Sequence, residues 1–324
     1  MKKESTMKFN GSEIFKKITS GGIIYIIFLL LIVFFWIMLG KTFISLTNIL
    51  TILRQTAMIS VMAIGMTFAL SAGEIDLSVD SIIAFAAITV AMTLQATDSI
   101  ILAVIAGLGV GVVIGFFNGA IVAWIKVPSF LVTLASMGII AGLSRWVTKN
   151  QAIAIGNETY NFIFGSGDLG SVPVLFVWTF FITVIGYLTL NKTAFGKRIL
   201  ASGGNEIAAY YTGINTRKIK LKALIISASA AALAGMLYAG RMHGARYTMG
   251  EGFVMSVIAA SVIGGTALFG GKGSVIGSLI GALVIGIINN GLILMGFNVA
   301  QQMVFRGIIL IIAISINTQM EARK

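Results

Sequence analysis

Long, almost charge-free apolar runs recur along this chain at 22–39, 55–72, 78–96, 100–125, 129–147, 172–190, 221–239, 253–268, 275–294 and 299–316. About 20 apolar residues in a helix cross the hydrocarbon core of a bilayer, so runs of this kind predict transmembrane helices. The expected fold is an all-α integral membrane protein of about ten transmembrane helices occupying 22–317, preceded by a cytosolic tail at 1–21. Composition supports this: the chain is 57% hydrophobic and only 10% charged, more apolar surface than a soluble globule of 324 residues could hide from water. The first run lacks a small-residue cleavage site and is longer than a signal-peptide core, so it is read as a retained span. With no cysteine, the chain can form no disulfide, thiolate metal site or cysteine nucleophile.

A net charge of +12 could suggest a nucleic-acid partner, but the positions of the charges argue for topology instead. With both termini in the cytosol, 16 Lys and Arg residues fall on the inside and 6 on the outside (Lys41, Arg54, Arg145, Lys149, Arg241 and Arg246), with Arg306 inside the last span. Positive residues accumulate on the cytoplasmic side of short loops, where they also meet anionic headgroups. No nucleic-acid partner is therefore expected.

Two stretches resemble each other. VIGFFNGAI at 113–121 returns as VIGIINNGLI at 284–293, EIDLSV at 74–79 is echoed by EGFVMSV at 251–257, and MGII at 137–140 by RGII at 306–309. The shared order predicts an internal repeat with halves at about 48–147 and 217–316. Five spans separate the partners, an odd number, so the halves would cross the membrane in opposite directions. Inverted repeats of this kind belong to transport proteins, whose path lies between the halves. Gly107, Gly111, Gly115 and Gly119, like Gly273, Gly277 and Gly281, are spaced by four, which places each set on one helix face and predicts close helix packing.

Polar groups within apolar spans are costly unless they face a cavity or a partner. Glu74, Asp76, Ser78 and Asp80 cluster where the second and third runs meet, either capping the third helix or lining a path, and either in a cytosolic turn or in a helix broken within the membrane. Asn118, Asn289 and Asn290 lie in the repeat helices, with interhelical hydrogen bonding the first expectation; Asn118 and Asn289 would border a path at mirrored depths. Apparent nucleotide motifs do not hold. GSGDLG at 165–170 fits G-x-G-x-x-G without a βαβ unit around it, and GGTALFGGKGS at 264–274 has Thr266 and Gly273 where a phosphate loop needs Gly and Ser or Thr. A lone His243 makes no metal site. No catalytic set is evident, so the chain is not read as an enzyme.

GGNEIAAYYTGINTRKIK at 203–220, together with GEIDLSVDS near Gly73 and GGTALFGGKGSVIGSLIGALVIGIINNGL from 264, resembles the permeases of ribose-type sugar importers of the ABC superfamily, over about 48–316. Those relatives usually read GIDLSVGS, so Glu74 and Asp80 are departures. The resemblance implies a subunit that moves a small sugar or sugar-like solute inward by alternating access, with a second permease copy in a homodimer, a cytosolic ABC ATPase that binds the ATP and Mg, no cofactor in this chain, and an extracytoplasmic solute-binding protein. It also implies that Gly204, Asn205, Ala208, Ala209, Gly213 and Ile214, in the cytosolic loop 191–220, form the coupling helix that docks into the ATPase. Helix chemistry agrees: Asn205 is a good N-cap, Glu206 suits the positive end, Gly213 can close the helix in the left-handed conformation, and the two alanines keep it slim; an amphipathic helix lying on lipid is the other reading. Arg241 and Arg246, cations on the less basic face, are expected either to dock an acidic lobe of the binding protein or to meet headgroups. A secondary transporter driven by H⁺ or Na⁺ would also show inverted repeats, but only the Glu74 cluster and Arg306 could serve its ion.

Overall fold

The computed structural model describes residues 23–322; the expected tail at 1–21 lies outside the described residues. Along the chain run α1 (Ile23–Leu39), α2 (Lys41–Ile44), α3 (Leu46–Ser71), α4 (Val79–Thr97), α5 (Ile100–Ala120) and α6 (Ser129–Thr148). After them come α7 (Glu158–Asn161), α8 (Val174–Tyr187), α9 (Ala194–Gly204), α10 (Glu206–Tyr211) and α11 (Thr216–Met242), then α12 (Phe253–Ile263), α13 (Val275–Leu294) and α14 (Val299–Ala322). Helices α5, α7 and α8 each continue into a π-helical turn, at Ile121–Ile125, Phe162–Ser166 and Leu188–Lys192. Extended structure among the described residues is limited to paired two-residue strands, β1 (Ile153–Ala154) with β4 (Gly244–Ala245) and β2 (Asp168–Leu169) with β3 (Val172–Pro173). The segment GSGDLG thus ends in a small hairpin.

Among the described residues, seven helices are long and apolar enough to cross a bilayer: α3, α4, α5 with its π-turn, α6, α8 with its π-turn, α11 and α13. Helices α1 and α12 are apolar but shorter. Most of the long helices begin where a side chain takes over an orphan backbone donor: Ser45 accepts from Asn48 N at 3.3 Å, Ser99 from Leu102 N at 3.4 Å, Asn215 from Lys218 N at 3.0 Å and Ser274 from Gly277 N at 3.0 Å.

Some boundaries differ from the hydropathy reading. Helix α3 starts at Leu46, not 55, which puts Arg54 inside a helix and not in an outer loop. Polar Thr47, Asn48, Thr51 and Arg54 dilute the apolar signal there, but the Thr51 hydroxyl donates to Thr47 O at 2.8 Å, and the Arg54 guanidinium holds both carboxylate oxygens of Asp168 at 2.7 and 2.8 Å. Helix α11 likewise runs to Met242, so Arg241 lies in its last turn and not in a loop. Helix α12 stops at Ile263, five residues before the apolar run ends at 268, because Gly265 takes a left-handed φ of 89°.

The centre of the bundle is α3 against α11, both buried along most of their length, with α11 rich in Ala, Ser and Gly. Helices α4 and α5 pack on α11, whereas α12 and α13 pack on α3. In the same way α4 touches α5 and α6, and α12 touches α13 and α14. The glycine stripe sets the α5–α11 approach: a Cβ at Gly111 would lie 2.6 Å from Ala228 O, and one at Gly115 2.6 Å from Ile225 Cα. Helix α13 meets α12 by the same device, since a Cβ at Gly281 would fall 2.0 Å from Ala260 O. At one end of the bundle Tyr160 is buried, stacks on Phe164 at 4.9 Å and donates its hydroxyl to Met236 O at 2.9 Å, pinning the long 149–173 connection onto α11.

Candidate functional site: an unwound segment tied to a short exposed helix

Helix α3 closes at Gly73, whose φ of 81° lets Gly73 N and Glu74 N bond back to Leu70 O and Ala69 O at 2.8 and 2.9 Å. The chain then runs without helical structure to Ser78 before α4 begins. Unwound backbone among membrane helices needs donors and acceptors from its neighbours. Helix α6 supplies them: Ile75 N donates to Ser129 Oγ at 3.0 Å and Leu77 N to Thr133 Oγ1 at 3.0 Å, while the Thr133 hydroxyl donates to Ile75 O at 3.1 Å. Ser129 and Thr133 were not singled out in the sequence, because a Ser and a Thr four apart on an apolar helix look like ordinary packing residues.

Within this segment Asp76 is buried and one of its oxygens, Oδ1, accepts from Ser78 N at 3.0 Å and from Ser78 Oγ at 2.5 Å. Asn118 Nδ2, from α5, donates to Ser78 Oγ at 3.1 Å. The structure therefore brings together three of the expected path residues, Asp76, Ser78 and Asn118. The other Asp76 oxygen, Oδ2, has no well-aligned donor; the hydroxyl of Ser227 on α11 lies close to the carboxylate but out of line for a good hydrogen bond. Asp80, in the first turn of α4, has a different task. Its carboxylate accepts from Gly252 N at 2.9 Å and Val254 N at 2.5 Å, capping α12 from across the bundle. The third and eighth apolar runs thus meet at their helix N-termini.

Glu74 does not belong to that polar cluster. It is buried, and its carboxylate lies 3.0 Å from Lys220 Nζ. The same ammonium sits 2.8 Å from Glu206 at the start of α10. One lysine thus joins the unwound segment to the short helix that was expected to couple. Lys220 counted in the sequence only as one more inside charge, since no spacing rule links residues 74, 206 and 220.

Helix α10 is built as its residues suggest: Asn205 Oδ1 accepts from Ala208 N at 2.9 Å, and Gly213, with φ of 85°, ends it. The two alanines differ, however. Ala208 is exposed, but Ala209 is only 4% exposed and faces inward. The outer face is not slim: Ile207, Tyr210 and Tyr211 are 71%, 67% and 83% exposed. Their i, i+3, i+4 spacing was a readable signal of an apolar face on a helix too short to be stable alone. Behind α10 the ends of α3 and α9 interlock with the loop after α12, with Gly271 N donating to Ser71 O at 3.1 Å and a Cβ at Gly203 falling 2.0 Å from Ser71 O. Gly270, Gly271 and Gly273 of GGTALFGGKGS serve this close packing.

The remaining expected residues separate. Asn290 is paired with Asn48 of α3 through reciprocal amide hydrogen bonds of 3.1 and 2.9 Å, whereas the Oδ1 of Asn289 is buried without a partner. Arg241 donates to Arg54 O at 3.0 Å, and Arg246 is exposed. No group of three or more metal-ligating side chains occurs among the described residues.

The chain as a whole is similar to known proteins. Residues 48–314 match the family model described as branched-chain amino acid transport system / permease component. The chain belongs to this permease family. It is 38% identical over 285 residues to the ribose import permease of Bacillus subtilis, with 88% of each chain covered. The ribose import permease of Haemophilus influenzae is 36% identical over 291 residues, covering 89% of this chain and 90% of that one. The L-arabinose ABC transporter permease of Azospirillum brasilense is 34% identical, covering 84% and 80%. No solved structure matches the chain. As a member of this family the protein is a multi-pass membrane subunit of an ABC importer, not an enzyme, and works with an ATPase and a binding protein.

Proposed function

We propose that this permease carries a pentose or a closely similar small sugar into the cytoplasm, as one of two identical copies above a pair of ATPase subunits. The reading of its cargo follows the ribose and arabinose relatives. The observation that carries the mechanism is the unwound segment 74–78. At one end it is bound through Glu74 and Lys220 to α10, and at its middle it holds a buried Asp76, one oxygen of which has only the poorly aligned Ser227 hydroxyl as a donor. Buried polar atoms are nearly always paired, so a carboxylate oxygen whose nearest donor, the Ser227 hydroxyl, is poorly aligned suits a guest rich in hydroxyl groups. ATP-driven closure of the ATPases would move α10, with its Ile207, Tyr210 and Tyr211 face, and Lys220 would pass that motion to the segment that touches the solute.

The reading includes ten spans in two inverted halves with both termini in the cytosol. The packing of α4 and α5 on α11, and of α12 and α13 on α3, supports it, because each half lays its equivalent helices on the other half. Arg246, exposed at the end opposite α10, would meet an acidic lobe of the binding protein, while Arg241 serves by holding α11 to α3. The test is reconstitution in liposomes with the ATPase and binding protein, following labelled ribose, arabinose and leucine. ATP-dependent uptake of a pentose, insensitive to a protonophore, is expected; uptake of leucine alone, or uptake that needs no ATP, overturns the proposal.

A further inference from the structure

A groove of about 700 Å³ opens between α9, the turn at 212–215 and the first turns of α11. Arg198, Lys218 and Lys222 stand at its mouth, all exposed and none in an ion pair among the described residues. No carboxylate lines it. Its wall is apolar, with Phe195 lying 5.8 Å from the Lys222 ammonium and Ile225 and Ile226 further in. Those two isoleucines also line a second groove of about 300 Å³, which continues between α3, α8 and α11 past Phe68 and Ile185 to Leu233 and contains no charged side chain.

The combined trench is cationic at one end and apolar along the rest. From Lys222 to Leu233 it follows α11 for roughly 16 Å at 1.5 Å per residue. That length is close to one leaflet of a hydrocarbon core about 30 Å thick. Basic pockets between transmembrane helices on the cytoplasmic side suit anionic lipid headgroups. A zwitterionic lipid would bring its own cation into a mouth that has no acid to receive it.

We infer that this trench binds one anionic phospholipid, its phosphate held among Arg198, Lys218 and Lys222 and one acyl chain laid along α11 from Ile226 to Leu233. The inference rests on the proposed orientation only for which leaflet supplies the lipid. The chain's own N-terminal stretch is a poor occupant, since residues 1–22 carry five Lys against two Glu and would meet like charge.

The experiment uses the permease purified in mild detergent with its ATPase, titrated with dioleoyl phosphatidylglycerol or dioleoyl phosphatidylcholine, with occupancy read by native mass spectrometry and inorganic phosphate added as competitor. Phosphatidylglycerol is expected to bind about ten-fold more tightly, and phosphate not to displace it. Combining Arg198→Gln, Lys218→Gln and Lys222→Gln should abolish the preference, and Ile185→Trp, which fills the apolar part from an exposed position, should weaken phosphatidylglycerol binding with the mouth intact. Equal binding of the two lipids, or a preference that survives the triple substitution, overturns the inference. Displacement by phosphate would make the mouth a free-anion site, and binding seen only without the ATPase would make the trench a docking surface; either result also overturns it. Because occupancy is read without transport, loss of pentose uptake would count against the proposed function and leave this inference standing.

Discussion

Lys220 is a single side chain shared by two carboxylates, one buried and one at the surface. Removing a partner from a buried charge costs more than the pair itself contributes, about 3–5 kcal/mol for a fully buried pair and less here because Lys220 remains partly exposed. Lys220→Met is therefore expected to lower the melting temperature of the purified protein and to cut ATP-dependent uptake by about ten-fold or more. Combining it with Glu74→Gln and Glu206→Gln should restore stability but not uptake; full uptake in the triple variant would remove this bridge from the coupling route. The Asn48–Asn290 pair offers a contrast. Leucine at either position strands the other amide, at about 1–3 kcal/mol, whereas leucine at both removes the need for a partner, so the double variant should be the more stable in thermal melts. Neither bridge was visible in the sequence, since residues 74 and 220, like 48 and 290, are brought together only by the packing of distant helices.

At the level of elements, the apolar runs marked the helices well because the bilayer demands an uninterrupted apolar stretch, and the caps at Asn205 and Gly213 were legible because helix ends use few residue types. Polar residues misled in both directions. Arg54 looked like a loop residue but lies inside α3, and Glu74 looked like a path residue but is bound to Lys220. Helix α10 corrects a finer expectation, because only one of its alanines faces outward. Ala208→Trp should therefore leave folding intact and abolish solute-stimulated ATP hydrolysis, measured in proteoliposomes with both partners. Ala209→Trp should instead disturb the packing of the loop itself and reduce the amount of folded protein recovered. Identical behaviour of the two variants would mean that the inward and outward faces of α10 do not have separate roles.

Across the whole molecule, each half leans on the other, and this shapes how the protein can be made. The glycine face of α5 is synthesised about a hundred residues before α11, the helix it packs against. Until α11 arrives, that face must rest against lipid tails, which fill a glycine groove less well than another backbone does. The first half made by the ribosome is thus an unfinished surface, not a domain waiting for a companion. Cut within the 166–173 connection and produced as separate pieces, the halves should be degraded when alone and recovered as a complex when made together; a stable, solitary first half would show that α11 is not needed to complete it. Seen this way, the stripe of Gly107, Gly111, Gly115 and Gly119 marks completion: in any chain that stops short of α11, that groove would stay open to lipid.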